Sequence, residues 1–373
     1  MMRRALRMAA NPLAALVLAF GAASVVIAFS GQNPLNSFGA MFAGALGSGP
    51  ALSETLIKTI PLAISGLAVA LGLRAGLFNI GVEGQLLVGG LAAAYAGYAI
   101  RLPAIVHLPI CIAAGIAGGM IWGYLPGILK ARRGVHEVIS TIMLNYIAFY
   151  LTHYLVTNQL KDSHTMAPQT PQIHSTAILP QFGQSGLHWG ILVAVVCVLG
   201  FAFLMSRTVL GFELKAVGQG PDAARASGIS VSRMVILAMV ISGGLAGLAG
   251  SVEVLGVHHK FYDQFSPGYG FDSIAVAVLG GNTALGTALS AFLFGALRNG
   301  AVGMQLATDT PKEIVTLIQA IVIAFAGMRL VARGGDKARG RGGDPETRGR
   351  GDRANQAAPS PPEGEGRGGG PDG

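Results

Sequence analysis

Long runs of uncharged, apolar residues recur from about residue 13 to residue 331, and they constrain the fold more than any other feature of the chain. A transmembrane helix needs about 20 consecutive apolar residues, and most of these runs approach that length. Only 12% of the residues are charged, which is about half the fraction found in a typical soluble domain. The sequence therefore predicts an all-α, polytopic membrane protein whose residues 1–332 form a transmembrane domain.

Counted in order, the apolar runs predict roughly ten spans, some of them broken or half-length. Basic residues collect between the runs, at residues 3–7, 130–133 and 207–233, which is typical of cytoplasmic segments. Both termini are therefore expected in the cytoplasm, and residues 158–189 are expected outside. The predicted spans are residues 13–29, 56–73, 78–100, 103–129, 138–156, 190–205, 234–257, 271–281 (half-length), 285–302 and 314–331, with residues 31–50 as an external loop.

The end of the chain and its cysteines add little chemistry. Residues 333–373 are Gly, Arg, Asp, Glu and Pro with almost nothing apolar, so we expect a disordered cytoplasmic tail. The two cysteines, Cys111 and Cys197, lie far apart in apolar runs and indicate neither a disulfide framework nor a metal site. We expect no metal and no cofactor.

Small residues and a polar stretch stand out within the spans. Glycines recur at Gly115, Gly119 and Gly123, and again in the span 234–257, a pattern typical of closely packed membrane helices. Residues 73–90, LRAGLFNIGVEGQLLVGG, combine glycines with polar residues inside an apolar region. Polar side chains and broken helices at membrane depth occur where protein or a water-filled cavity surrounds them. The stretch therefore predicts a helix break.

Two roles are open for the polar residues of this break. Asn79 and Glu83 stand four residues apart and would share one face of a helix, whereas Gln85 would point elsewhere. Glu83 can pin the helix start, by accepting hydrogen bonds from N–H groups near Gly81 or by pairing with Arg74 or a neighbouring helix. We prefer this role for Glu83, because polar groups at a helix break usually serve the backbone first. Alternatively, Asn79 and Glu83 line a pathway and bind ligand hydroxyls, and for Asn79 both roles stay open.

The sequence contains no catalytic constellation. It has no Gly-Lys dipeptide and hence no phosphate-binding loop of the Walker A type, and His136–Glu137 lacks the second histidine of a zinc protease motif. We therefore expect no catalytic residues and no enzymatic activity in this chain.

Residues 207–233 form a long polar segment between two spans. Its pattern predicts a short helix at 213–217, a Gly-rich break at 218–221, and a second short helix at 222–227 closed by Gly228. Such an element is either a knob that docks a partner or an ordinary amphipathic surface hairpin, and spacing alone leaves both open.

Two motifs carry a family resemblance. GLFNIGVEGQLLVGG (76–90) resembles the signature of permease subunits of nucleoside-type ABC importers, within the wider group of ribose-type sugar permeases. ELKAVGQGPDAARASGIS (213–230) resembles their cytoplasmic coupling segment. The likeness extends over about residues 10–331. Sugar permeases of the group usually carry an Asp/Ser-rich sequence at the position of residues 79–85, which favours the nucleoside branch.

The resemblance implies a subunit of an ATP-driven importer in the bacterial inner (plasma) membrane. Its partners would be a second, related permease, cytoplasmic ATP-binding subunits that hydrolyse the ATP, and an external substrate-binding lipoprotein. An uncharged pathway of amides, hydroxyls and a few aromatics would suit neutral nucleosides better than a charged one. The candidate pathway residues are Phe78, Asn79, Glu83, Gln85, Asn145 and Asn282. The candidates for coupling to the ATPase are Glu213, Ala216, Gly218, Ala223, Ala224 and Gly228.

Three alternatives stay open. The first is a sugar permease of the same group. The second is an ion-coupled secondary transporter, which would need a coupling-ion site among the few intramembrane carboxylates, Glu54, Glu83, Glu253 and Asp272. The third is a structural or assembly protein of the membrane.

Overall fold

The computed structural model of the chain describes residues 17, 19–183, 185–309, 311, 313–318 and 320–321. Within them the regular structure is helical, with two isolated β-bridges, and this confirms the all-α prediction. The predicted tail, 333–373, lies outside the described residues. The helices are α1 (Ala19–Phe29), α2 (Pro34–Leu46), α3 (Gly49–Arg74), α4 (Val82–Ala99), α5 (Ala104–Arg133), α6 (Glu137–Thr157), α7 (Gly190–Arg207), α8 (Val209–Gln219), α9 (Pro221–Ala226), α10 (Val231–Glu253), α11 (Tyr269–Leu279) and α12 (Ala284–Thr308).

By length and composition, five helices are long and apolar enough to cross a membrane: α3, α5, α6, α7 and α10 with its continuation to His258. The shorter apolar helices α1 and α11 add to them, and residues 313–318 are also helical. α11 has 11 residues, or about 16 Å, roughly half the thickness of a bilayer core. This confirms the predicted half-length span, whereas the total of about ten spans stays a prediction.

α2 occupies the region predicted to be an external loop, and that part of the prediction is wrong. The side chain of Asn33 caps the helix by accepting a hydrogen bond from the Leu35 N–H, and Pro34 takes the first position. A Cβ atom on Gly44 would lie 2.8 Å from the Cα of Gly303 in α12. The small residues that suggested a loop instead allow this close helix contact.

Glycines bring α4, α5 and α10 into backbone contact. A Cβ atom on Gly119 of α5 would lie 2.1 Å from the carbonyl oxygen of Gly243, and one on Gly247 would lie 2.3 Å from that of Gly115. A Cβ atom on Gly89 of α4 would lie 2.3 Å from the Cα of Gly247. The predicted small-residue stripes are therefore the packing surfaces of the helix core.

The loop at residues 158–189 lies on the segment that follows α10. The Thr170 N–H donates to the Phe261 carbonyl at 2.8 Å, the Ile173 N–H to that of His259 at 2.9 Å, and the Leu179 N–H to that of Leu255 at 3.0 Å. Ile173 and Leu179 are buried. The loop is therefore a cover packed on the helices rather than a free polar linker.

His188 anchors the end of this loop. Its ring is buried, and its Nδ1 accepts a hydrogen bond from the Gly190 N–H at 3.1 Å. Burial lowers the pKa of His188 to about 4, with a smaller contribution from the neighbouring His259. A charged imidazolium would lose this hydrogen bond, because a protonated Nδ1 cannot accept.

The backbone is irregular between α10 and α11. α10 continues as a π-helical turn, Val254–His258, and His259 adopts a left-handed conformation. Residues 260–267 form no regular helix, and α11 begins only after Gly268, whose φ is 90°. π-helical turns occur frequently at functional sites, so this region is a candidate for one.

Candidate functional site

The predicted helix break lies between the end of α3 at Arg74 and the start of α4 at Val82. Asn79 stands in the non-helical segment, so the expectation that it shares a helix face with Glu83 is wrong. Gly76 takes a left-handed φ of 75° within the break. Phe78, also in this segment, is half-buried.

Asn79 holds the break together. Its Nδ2 donates to Gln85 Oε1 at 3.0 Å and to Ser242 Oγ at 2.9 Å, and its Oδ1 accepts from the Gly81 N–H at 3.0 Å. The Ser242 hydroxyl in turn donates to the carbonyl of Ala68 in α3 at 2.8 Å. Gln85 therefore points toward Asn79, not away from it as predicted.

Asn145 of α6 serves the same break. Its Oδ1 accepts from the Gly84 N–H and its Nδ2 donates to the Ile80 carbonyl, both at 2.9 Å. Gly84 lies in the first turn of α4, where N–H groups have no partner inside the helix. We name Asn79, Gln85, Asn145 and Ser242 the amide cluster; its amide side chains are only 1–2% exposed.

Glu83 pins a neighbouring helix. Its Oε2 accepts the N–H of Gly270, in the first turn of α11, at 2.6 Å. Ser266 Oγ accepts from the Tyr269 N–H at 3.2 Å. A carboxylate is stabilised by the free N–H groups and the positive end of a helix dipole. Of the partners open to Glu83, the structure therefore supports a neighbouring helix.

Arg74 and Asn282 meet at the other end of α11. The Arg74 Nε donates to the Asn282 carbonyl at 2.9 Å, and Asn282 has a left-handed φ of 56° in the turn between α11 and α12. Both residues line a cleft of about 360 Å³ with Lys215 of α8. Asn282 is thus separate from the amide cluster, which holds Asn79, Gln85 and Asn145.

The coupling segment differs from its prediction in one respect. α8 runs through Gly218, so the chain breaks at Gly220 and not at residues 218–221 as a whole. A Cβ atom on Gly218 would lie 2.2 Å from the Arg74 carbonyl oxygen, and one on Gly76 would lie 3.0 Å from the Gly218 Cα. Gly218 is therefore required for a close approach of α8 to the base of the break, and not for a turn.

The other candidate coupling residues fall on different faces. Ala223 and Gly228 are exposed, Ala224 is buried, and Glu213 and Ala216 are half-buried. Gly228, with a φ of 82°, ends the second short helix as predicted.

A second polar group, which sequence reasoning did not assemble, lies where α10, α11 and α12 meet. The Nε and Nη2 of Arg298 donate to Asp272 Oδ2 at 3.0 and 2.8 Å. The guanidinium lies over the Tyr269 ring, with 4.8 Å between Cζ and the ring centroid. The Tyr269 hydroxyl and His258 Nε2 approach Glu253 Oε1 at 3.5 and 3.4 Å.

Lys58 of α3 joins this group through α12. Its Nζ donates to Asn299 Oδ1 at 2.9 Å, and Asn299 Nδ2 donates to the carbonyls of Gly44 and Ala51 at 3.0 and 2.9 Å. Asn299 follows Arg298 directly in the chain. We name Lys58, Glu253, Tyr269, Asp272 and Arg298 the charged cluster.

Comparison with known proteins identifies the family of this chain. Residues 51–327 match the family described as "Branched-chain amino acid transport system / permease component". The chain belongs to this permease family. It is therefore a multi-pass membrane protein and a transport component, and the resemblance drawn from the two motifs is confirmed.

Three relatives illustrate the range of the family. The permease is 43% identical to the guanosine ABC transporter permease protein NupP of Bacillus subtilis, over 86% of this chain and 94% of that protein. It is 35% identical to the glucose ABC transporter permease protein TsgB13 of Haloferax volcanii, over 84% and 86%. It is also 35% identical to the nucleoside ABC transporter permease protein NupB of Lactococcus lactis, over 86% and 91%.

The permease thus contains two intramembrane polar clusters, and the sequence pointed to only one. Glu253 and Asp272 were noted as isolated carboxylates, but Lys58 and Arg298 were not connected with them. Charged residues are rare inside apolar spans and usually pair with one another. That rarity is the signal that could have connected Lys58 and Arg298 with the carboxylates. Which charges pair depends on helix packing, and the sequence does not contain that information locally.

Proposed function

We propose that this permease subunit carries nucleosides inward by alternating access as part of an ATP-driven importer. The supporting observation is the 43% identity to a guanosine permease across 94% of that protein's length. The test is uptake of labelled guanosine, uridine and glucose by a strain lacking the gene and by the complemented strain. We expect loss and recovery of nucleoside uptake; loss of glucose uptake alone would contradict the substrate assignment.

A sugar permease is the second candidate, supported by the glucose relative at 35% identity. Competition separates the two, since unlabelled glucose in excess should leave guanosine uptake unchanged if nucleosides are the substrates. An ion-coupled transporter is less well supported, because Asp272 is already paired with Arg298 and Glu83 bonds the backbone of α11. Uptake that depends on ATP and survives collapse of the membrane potential would reject ion coupling.

The proposed assembly contains a second permease, cytoplasmic ATP-binding subunits and an external substrate-binding lipoprotein, in the bacterial inner membrane with both termini of the permease in the cytoplasm. Charge placement supports this orientation, because residues 130–133 and 207–233 are basic. Reporter fusions within residues 160–185 should report an external position, and fusions within 207–233 a cytoplasmic one. A cytoplasmic signal from 160–185 would contradict the topology.

We propose further that α8 and α9 couple the permease to the ATPase. α8 leaves the large side chain of Phe212 63% exposed, and exposed apolar groups on a surface helix suit a protein partner. Gly218 of α8 touches the backbone at Arg74. Movement of α8 would therefore reach the α3–α4 break, and through Glu83 and Gly270 it would reach α11.

Two glycines in the coupling segment provide a matched test. A methyl group at Gly218 would collide with the Arg74 carbonyl at 2.2 Å, whereas one at Gly220 would meet only the Ala223 Cβ at 3.7 Å. In the assembled complex, Gly218→Ala should lower nucleoside-stimulated ATP hydrolysis severalfold while Gly220→Ala leaves it unchanged. Normal nucleoside-stimulated ATP hydrolysis in the Gly218→Ala complex would indicate that residues 207–233 form an ordinary amphipathic surface hairpin.

A further inference from the structure

Three members of the charged cluster are partly exposed, and we call them, together with the adjacent Phe271, the exposed face. The side chains of Asp272 and Arg298 are 22% and 19% exposed, and the neighbouring Phe271 is 44% exposed. Lys58 is also only partly buried. The face therefore presents charges of both signs beside a free aromatic ring.

The predicted span 285–302 includes Arg298. Arg298 stands 14 residues after Ala284, the first residue of α12, which is about 21 Å along a helix. A bilayer core is about 30 Å thick, so a helix that enters the core near Ala284 carries the guanidinium into it. Intramembrane charges face a bundle interior or a water-filled cavity and mark substrate pathways. The exposed face therefore borders a pathway or a protein partner, and not lipid.

The backbone beside the cluster supports a pathway. Glu253 is followed at once by the π-helical turn Val254–His258, and the half-length helix α11 starts after the irregular residues 260–267. Irregular backbone at membrane depth is tolerated where it is buried in protein or lines a water-filled cavity. The exposure of Phe271 and Asp272, at the start of α11, favours a cavity on this side.

We propose that the charged cluster and Phe271 form the nucleoside-contacting site of the translocation pathway. The Phe271 ring would stack on the base, since aromatic rings stack on nucleobases of any sequence. Lys58, which has three donor hydrogens and bonds Asn299, and the second oxygen of Asp272 would bind sugar hydroxyls. The sequence favoured an uncharged pathway, but the opposite charges of Asp272 and Arg298 are paired, so the pair has no net charge and its polar atoms can bond a neutral polyhydroxyl solute. This proposal rests on the proposed function.

Cysteine labelling tests whether the face is wet and occupied. The background is the assembled importer carrying Cys111→Ala and Cys197→Ala. In it, Phe271→Cys should react with a membrane-impermeant methanethiosulfonate reagent in at least one of two states: the nucleotide-free importer or the importer trapped with ATP and vanadate. Millimolar adenosine should slow that reaction roughly fivefold or more. The control is Phe203→Cys on α7, where the side chain is 63% exposed but lies among apolar residues. Labelling of Phe203→Cys alone, or no protection by adenosine at position 271, would overturn the proposal.

Transport measurements separate binding from structure. Phe271→Leu and Lys58→Gln should reach the membrane at wild-type amounts, yet lower adenosine uptake roughly fivefold or more and change the adenosine-to-uridine ratio. Phe203→Leu should alter neither quantity. If Phe271→Leu and Lys58→Gln both show wild-type uptake and a wild-type adenosine-to-uridine ratio, this inference is refuted and the proposed function is unaffected. If the wild-type importer carries glucose and no nucleoside, the proposed function fails, and the same variants assayed with glucose then show whether the cluster contacts the solute.

Discussion

The amide cluster and the charged cluster are both polar groups at helix breaks inside an apolar bundle, but they are built for different tasks. Asn79 and Asn145 are buried, and apart from the bond to Ser242 their hydrogen bonds go to residues 80–85, at the α3–α4 break and in the first turn of α4. Arg298 and Asp272 are partly exposed and bond each other across two helices. The first cluster replaces the hydrogen bonds that a broken helix loses, whereas the second keeps polar atoms at a surface where a solute can meet them.

This difference predicts opposite phenotypes. Removing a member of the amide cluster leaves buried backbone groups without partners, at about 1–3 kcal/mol for each group. Replacing Asp272 by asparagine keeps an acceptor for Arg298 and removes no hydrogen bond to the backbone, so we expect it to cost less stability than a change in the amide cluster. Loss of stability should therefore mark the first cluster, and loss of transport without loss of stability should mark the second.

The largest effect on stability is expected for Asn145→Leu. The substitution keeps the number and branching of the side-chain heavy atoms but leaves the Gly84 N–H and the Ile80 carbonyl unpaired, at about 1–3 kcal/mol each. The detergent-solubilised permease should melt at a markedly lower temperature, and its membrane abundance should fall for every substrate tested. Asn158→Leu, at an exposed position just after α6, is the matched control. Normal abundance with a changed substrate preference would place Asn145 in the pathway instead.

A smaller effect is expected at Glu83, which lies between the two clusters. Glu83→Ala removes the acceptor of the Gly270 N–H and should destabilise the permease by about 1–3 kcal/mol. Glu83→Gln retains a side-chain oxygen that can accept this hydrogen bond and should recover much of the loss. The measurement is the melting temperature of both variants beside uptake. Two stable variants with altered nucleoside preference would move Glu83 to the ligand-contacting group.

Acid should loosen the 158–189 loop through His188. The pKa of this ring is about 4 in the folded protein and about 6.5 in an unfolded chain. The unfolded state therefore binds the proton first, and the stability from the neutral ring is full above pH 6.5 and is lost as the pH falls toward 4. At pH 5.5 the loss is about 1 kcal/mol.

Hydrogen exchange of residues 170–189 at pH 7.5 and 5.5 measures this loosening. We expect faster exchange at pH 5.5 in the wild type and little pH dependence in His188→Gln. An unchanged pH dependence in the variant would show that another group is responsible.

The smallest effect on stability is expected for Asp272→Asn. The asparagine oxygen can still accept from Arg298, so the contact between α11 and α12 should persist. Nucleoside uptake should nevertheless fall severalfold, because the site loses a charged acceptor. A melting temperature that falls as far as in Asn145→Leu, with uptake reduced only in proportion to abundance, would mean that both clusters are structural.

Part of this protein follows from local sequence. The apolar runs determined the helical membrane class, because a bilayer demands that length and composition of any span. Spacing located the glycine stripes, and polar residues between glycines located the α3–α4 break. The half-length α11 was also visible, because Gly280, Gly281 and Asn282 end a short apolar run. Local reasoning was wrong at α2, where small residues required for packing on α12 resembled a loop.

Only the tertiary structure decided which polar groups meet. Glu83 could have bonded its own helix, and it bonds Gly270, 187 residues away. Lys58 bonds Asn299, which lies 241 residues later in the chain, and no pattern within either segment predicts that contact. The glycine at 218 suggested a turn. The residue instead lies inside α8, where the absence of a side chain allows close approach to the Arg74 carbonyl. Partners across spans depend on how whole helices pack, and packing energies are summed over many distant side chains that no single stretch of sequence contains.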